Sequence, residues 1–205
     1  APWDCSPRTR CAGNPWDTRS RFVMDGHIWV SEYEASQPPA SFARVVQHLR
    51  DSSLVTTLNA CVEDWGMMPT EAVLRSFYGA GHLERRLGIR IPLVIPMENQ
   101  TLPGGVASLW AGAGAKYAWK GICGCATCFD ATQRVNDIYQ FVGPDGQGVL
   151  LKWNAFYDGN RSLGGYAEAR DPDAALDFMR TNTAYRTRWP YGVHAAFGYG
   201  HDNLE

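Results

Sequence analysis

Ile89-Arg90-Ile91-Pro92-Leu93-Val94-Ile95-Pro96-Met97-Glu98-Asn99-Gln100-Thr101-Leu102-Pro103-Gly104-Gly105-Val106-Ala107-Ser108-Leu109-Trp110-Ala111-Gly112-Ala113 runs through an apolar segment, a polar loop and a second apolar segment of different period. It begins as a short apolar run rich in β-branched residues, which predicts a buried strand. Val106, Leu109, Trp110 and Ala113 then recur at helical spacing. Between strand and helix lies a polar loop ending in Pro-Gly-Gly, turn chemistry that also opens a helix. A polar loop at the carboxyl end of a strand is where α/β proteins place ligand-binding groups. The same residues also suffice for a plain turn, so the loop has a structural reading beside the functional one.

The strand-helix order repeats on both sides of this stretch. On the amino-terminal side, Pro69-Thr70-Glu71 opens a helix through Val73, Leu74, Phe77, Leu83 and Leu87, with Thr70 as its cap and Gly88 as its stop. Residues 54–58 are β-branched enough for a strand, and residues 59–69 form a second polar and aromatic loop at its end. Phe42, Val45, Val46 and Leu49 share one face of an amphipathic helix over residues 40–50. Residues 22–24 and 27–30 read as short strands interrupted by Asp25-Gly26. Residues 1–20, rich in Pro, Arg, Asp and Gly and without a period, are expected to be an arm.

On the carboxyl-terminal side, residues 116–119 predict another strand. Residues 138–142 and 149–153 predict a hairpin, because Gly143-Pro144-Asp145-Gly146 supplies its turn. Residues 154–166 are a Gly-rich loop, Asp171-Pro172-Asp173 caps a helix carrying Ala175, Leu176, Phe178 and Met179, and residues 193–200 form a last strand running into His201-Asp202-Asn203. The expected fold is therefore α/β: one domain over residues 21–205, or one large piece of a bigger one. It is a largely parallel sheet with helices on its faces, right-handed crossovers and one β-hairpin insertion.

Composition narrows the partners. The 205 residues carry a net charge of −2, which gives no electrostatic case for nucleic acid, and the longest apolar runs fall far short of a membrane span. Eight Trp and nine Tyr are many for this length; such rings fill cores, and they also stack on the apolar faces of sugars. The opening Ala1-Pro2-Trp3-Asp4-Cys5, without a Met, suggests a processed product. The six cysteines make an even count that fits an oxidising compartment, whether secreted, periplasmic or lysosome-like.

Five stretches carry a family resemblance. They are Asn14-Pro15-Trp16-Asp17 with Arg21-Phe22; Leu83-Glu84-Arg85-Arg86-Leu87-Gly88-Ile89; Leu102-Pro103-Gly104 with Ala113-Gly114-Ala115-Lys116-Tyr117; Phe141-Val142-Gly143-Pro144-Asp145-Gly146; and Phe197-Gly198-Tyr199-Gly200-His201-Asp202. In this order they resemble the catalytic domain of the alpha-mannosidase-like glycoside hydrolases, family 38. The resemblance implies an irregular parallel β/α barrel-like sheet with helices outside, whole or as part of a larger catalytic domain, and a retaining glycosidase. One carboxylate attacks the anomeric carbon, a second carboxyl serves as acid and then base, and a divalent metal, zinc or calcium, grips the sugar hydroxyls.

Carried over position by position, the resemblance makes Asp202 the acid/base and its neighbour His201, which replaces a family Asp, a metal-ligand candidate. Two departures stand beside this. No His-x-Asp pair precedes Asn14, and the position three residues before Gly104, where the family pattern has its nucleophilic Asp, is Thr101. Glu98 is then the displaced carboxylate, unless it caps the following helix or pairs with an arginine. Asp202 likewise has a plain reading as a terminal Asp-Asn turn.

Asn99, Gln100 and Thr101 are the expected substrate contacts of the central loop. Trp65, Trp153 and Tyr157, with Trp119, lie in or beside strand-end loops as stacking surfaces, and His27 at a strand end is a sugar contact or ligand. Cys123, Cys125 and Cys128 could hold a soft metal with one distant ligand, Cys61 among the candidates, or close disulfides, including Cys5 to Cys11. Three functions follow: a glycoside hydrolase-like enzyme, an inactive carbohydrate-binding or assembly subunit, and a metal-thiolate or redox protein. The expected partners are a glycan or oligosaccharide, and either the remainder of a larger catalytic chain or a second copy.

Overall fold

A computed structural model describes residues 22–96, 101–120, 138–153, 177 and 180–188. Strand β1 (Phe22–Val23) pairs in parallel with β2 (Leu54–Val55). A second sheet runs in the order β3 (Leu93–Val94), β4 (Tyr117–Lys120), β6 (Gly148–Trp153), β5 (Ile138–Val142). Within it β3, β4 and β6 are parallel, and β5 runs antiparallel to β6. The two sheets meet where the Leu58 N–H donates to the Leu93 carbonyl at 2.8 Å and, one step further in the same direction, Ile95 N–H donates to the Asn59 side chain at 3.1 Å. Strands β1 to β4 therefore lie side by side in chain order, all pointing the same way.

This is the expected α/β alternation, but among the described residues the strands do not close into a barrel. The hairpin is more than an insertion, because β6 lies between β4 and β5 and continues the parallel sheet. The ladders are also shorter than the apolar runs suggested. Pro92 has no N–H to give, its carbonyl accepts from both Lys116 N and Tyr117 N, and Ile91 N–H is taken by Glu84 Oε1 at 2.7 Å. Residues 89–92 are thus tied to a helix and only 93–94 enter the ladder.

Residues 27–30, expected as a strand, begin helix α1 (Ile28–Ser36). The amides of His27 and Ile28 donate to the Asn59 and Ala60 carbonyls at 3.1 and 3.2 Å, which stops the extended run. Gly26 makes this approach possible, since a Cβ there would overlap the Ala60 carbonyl oxygen. Val30 then points into the core and Tyr33, one turn on, is half-buried. Helix α2 (Pro39–Arg50) starts with Pro39 at its first position, where the missing N–H costs nothing, and buries Val45 and Leu49.

The helix expected from residue 70 onward is two helices, α3 (Thr70–Ser76) and α4 (Tyr78–Leu87), meeting at Phe77. Thr70 is the first helical residue rather than the cap; Pro69 holds the cap position, and no side chain caps it. Gly88 ends α4 in the left-handed region at φ 63°, as a C-terminal glycine should. Helix α5 (Val106–Gly112) follows the central loop, and α6 is Thr183–Arg188. Asp177, Arg180 and Thr181 are helical too, in line with the helix expected after Asp171-Pro172-Asp173. The expected arm at 1–20 and last strand at 193–200 lie outside the described residues.

Leu54, Leu58, Ile91, Val94 and Leu151 from the strands and their extensions meet Val45, Leu83, Val106 and Trp110 from the helices in one core cluster. Each aliphatic side chain so buried contributes roughly 1.5–3 kcal/mol, which is what holds such short ladders together. The hairpin turn packs on α5, because a Cβ on Gly143 would overlap Ser108 Oγ. Ser108 Oγ in turn donates to Asp145 Oδ1 at 2.5 Å.

Candidate functional site at the carboxyl ends of the strands

The carboxyl ends of β1, β2 and β3 lead into segments that Asn59 ties together. Its side chain is wholly buried, with Nδ2 donating to the carbonyls of Asp25, Cys61 and Ile95 at 3.0, 2.8 and 3.4 Å. It is a clamp rather than a reactive group, since all its capacity goes to backbone. Around it, Thr56 Oγ1 donates to Gly26 O at 3.3 Å and Thr57 Oγ1 to Asn59 O at 3.3 Å. Buried hydroxyls in this run bond backbone where a purely apolar strand would pack.

His27 sits beneath this rim, only 6% exposed. Its Nδ1 bonds the Leu58 carbonyl at 3.1 Å, which makes Nδ1 the protonated nitrogen, and Nε2 faces Gly79 so closely that a Cβ there would overlap it. Burial pushes its pKa below the ordinary value, against smaller upward pulls from the backbone bonds and Glu63, so the ring is neutral at pH 7. Neither nitrogen is presented to the strand-end loops, which leaves His27 a packing and positioning role here.

Three carboxylates border the rim. Asp25 Oδ1 accepts from Trp29 Nε1 at 3.1 Å, Glu63 Oε1 accepts from Ala60 N at 3.0 Å, and Asp64 Oδ1 accepts from the hydroxyl of Thr101. Gly66 allows this last contact, because a Cβ there would overlap the Thr101 side chain. Thr101 thus belongs to a bond between the loops after β2 and β3. Lys120, 2% exposed, ends β4 on the same side of the sheet. Asp25, Asn59, Asp64 and Lys120 carried no functional reading in the sequence; their place one to six residues past the short expected strands was the available signal.

Trp65 is 2% exposed and packs edge-on against Trp110 with ring centroids 5.1 Å apart. It also lines a groove of about 380 Å³ whose walls include Met68 and Val73 on one side and Pro103, Val106 and Leu109 on the other. Trp119 is half-buried within β4, and Trp153 is the last residue of β6, paired with Lys120. Glu98, Asn99, Gln100, Tyr157, His201 and Asp202 lie outside the described residues.

Among the described residues no group of three or more His, Cys, Asp or Glu side chains is placed to hold a metal ion. Cys61, the one cysteine among them, is a free, exposed thiol. Desolvation, then the negative charges of Glu63 and Asp25, push its pKa up, the opposite of what a reactive thiolate needs. No described helix is long and apolar enough to cross a membrane.

Parallel strands in chain order with helices between them define an α/β protein. No family model matches the chain, that of the family 38 glycoside hydrolases included, and no curated protein matches it. Among solved structures, the crystal structure of 4-alpha-glucanotransferase from Thermococcus litoralis is similar, with a TM-score of 0.53 and 13% identity over 78% of this chain. The chain spans 24% of that protein's length, and at this identity the likeness is one of fold.

Proposed function

We propose that this chain is a carbohydrate-active protein of the glycoside hydrolase kind, acting on a glycan or oligosaccharide at the carboxyl ends of its strands. The observation that carries the reading is the chain-ordered parallel run of β1 to β4, with Asn59 tying together the segments that follow β1, β2 and β3. The fold likeness to a glucanotransferase supports it. So do the short motifs that resemble alpha-mannosidase-like family 38 enzymes.

In this reading Asp202 gives its proton to the glycosidic oxygen as the C–O bond breaks, and Glu98 is the second carboxylate, attacking the anomeric carbon or activating water. Asn99, Gln100 and Thr101 contact the reacting sugar, with Trp153 and Tyr157 beside it. His201 is the candidate ligand for a divalent metal, zinc or calcium, which would grip the sugar hydroxyls. The remainder of a larger catalytic chain, or a second copy, would complete the working protein in an oxidising compartment.

Metal content of the natively purified protein, measured by elemental analysis, is the first test, together with turnover of a panel of aryl glycosides. Stoichiometric metal, with turnover abolished in Asp202→Asn and Glu98→Gln, is the expected result. A second reading, a glycan-binding subunit without hydrolysis, is favoured by Thr101, whose hydroxyl is engaged with Asp64 where the family pattern has its nucleophile. Glycan binding without turnover would move the assignment to that reading, and absence of both binding and turnover would remove the carbohydrate assignment altogether.

A further inference from the structure

A cavity of about 670 Å³ lies at the opposite ends of the strands, where the carboxyl ends of α2 and α4 meet the segments leading into β2 and β3. We propose that it is a binding site for a small phosphomonoester, with the phosphate held by Arg50, Arg85 and Arg90. It is independent of the carbohydrate reading, because none of the residues assigned to the sugar takes part in it.

The charge of the lining points to an anion. Arg50, Arg85 and Arg90 stand around the cavity with a single carboxylate, Glu84. Arginines in the last turn of a helix have an ordinary role, offsetting roughly half a negative charge at its carboxyl terminus. Three guanidinium groups exceed what Glu84 and the termini of α2 and α4 require by about one unit of charge. Glu84 is also engaged within the protein: Oε1 accepts from Ile91 N–H at 2.7 Å, and Oε2 stands 3.5 Å from Arg90 Nη1.

The donors are in place. Arg50 Nε and Nη2 donate to the Leu87 carbonyl at 3.2 and 2.8 Å, which fixes the planar group and leaves Nη1 with no partner among the described residues. Arg85 makes no hydrogen bond or ion pair among the described residues, and Arg90, 88% exposed, has only the long contact to Glu84. Arg50, Ser52, Arg85, Gly88 and Arg90 are all exposed, so the polar side of the cavity opens to solvent.

A carboxylate offers two oxygens, which one guanidinium fork satisfies; a phosphomonoester offers three and up to two negative charges, which call on several arginines. The volume lies within the ~300–1,000 Å³ typical of small-molecule sites and exceeds what a bare phosphate fills. Half-buried Val55 and Pro92 give it an apolar wall for the carbon body of an ester.

Calorimetric titration with inorganic phosphate, phenyl phosphate and glycerol 3-phosphate tests this. All three are expected to bind, with at least one ester about tenfold tighter than inorganic phosphate. Arg85→Gln/Arg90→Gln is expected to weaken ester binding about tenfold or more, the loss of at least one charge-assisted hydrogen bond. Arg44→Gln/Arg75→Gln removes the same charge from exposed positions outside the cavity and is expected to leave the affinity unchanged. Should the first double variant not fold, Arg85→Gln alone, which breaks no described bond, is expected to weaken binding in the same direction.

Absence of binding by all three probes overturns the site. Equal weakening in the two double variants also overturns it, since the attraction would then be one of overall charge. Inorganic phosphate binding as tightly as both esters overturns the phosphomonoester assignment.

Discussion

Asn59 and Ile95 exchange hydrogen bonds across the seam between the two sheets: Ile95 N–H donates to Asn59 Oδ1 at 3.1 Å, and Asn59 Nδ2 donates back to Ile95 O at 3.4 Å. One side chain thus stands in for a backbone partner and carries the parallel order from β2 to β3. Asn59→Ala leaves Ile95 N–H and the Asp25 and Cys61 carbonyls without this partner in a buried setting. A loss of about 2–4 kcal/mol in urea unfolding is expected. A loss below about 0.5 kcal/mol, the size of an ordinary surface change, would show that the clamp is dispensable.

His27 predicts a pH dependence with a definite sign. Its folded pKa lies below the ordinary value of 6.5, so below that pH the unfolded chain binds more protons than the folded one. The stability it contributes is full above about pH 6.5 and is lost as the pH falls from there through its folded pKa. Urea midpoints between pH 8 and pH 5 should therefore fall less steeply in His27→Gln than in the unaltered protein. Equal slopes would mean that the ring is protonated inside the fold.

Much of the architecture was legible because burial and turn chemistry leave local marks. The amphipathic face of α2, the Gly88 stop and the Gly-Pro-Asp-Gly turn each depend on a few neighbouring residues. The misreadings share the opposite cause, dependence on distant chain. Residues 27–30 look like a strand until their amides meet Asn59 and Ala60, and residues 89–92 look like a strand until Glu84 takes Ile91 N–H. Asn59 was invisible as a clamp for the same reason, since its partners lie 34 and 36 positions away as well as nearby. Thr101 was marked by a motif position, but its partner Asp64 belongs to another loop.

Gly79 is expected to resist substitution although it lies in a helix, where alanine would ordinarily gain about 1 kcal/mol. A Cβ there overlaps His27 Nε2 and lies 3.0 Å from Cδ2, and the ring cannot swing away while Nδ1 holds the Leu58 carbonyl. Gly79→Ala should destabilise by about 1–3 kcal/mol. In a double-mutant cycle the penalty should largely vanish on a His27→Ala background; an unchanged penalty would place the conflict elsewhere.

The Arg86–Glu34 pair joins α4 to α1 through two bonds of 2.7 and 2.5 Å, and the hydrogen bond holds the Glu34 carboxyl below its usual range. Both side chains are more than a third exposed, so water and salt screen most of the attraction. The expected cost of Glu34→Gln is about 0.2–1 kcal/mol at low salt, shrinking as salt is added. The sign with pH is set by the lowered pKa: the contribution is present above the unfolded value near 4.5 and is lost as pH falls through the folded one. A salt-independent loss would mean that packing of the arginine stem, not charge, joins the helices.

Gly143 lets the hairpin turn approach α5 so closely that no side chain fits between them. A Cβ there would overlap Ser108 Oγ and stand 2.7 Å from the Ser108 backbone nitrogen. The hydroxyl can rotate but the backbone cannot, so shortening the side chain relieves only part of the conflict. Gly143→Ala should cost about 1–3 kcal/mol, and Ser108→Gly on that background should recover less than the whole. Full recovery of stability by Ser108→Gly would show that only the side chain, and not the backbone approach, fixes the hairpin against the helix.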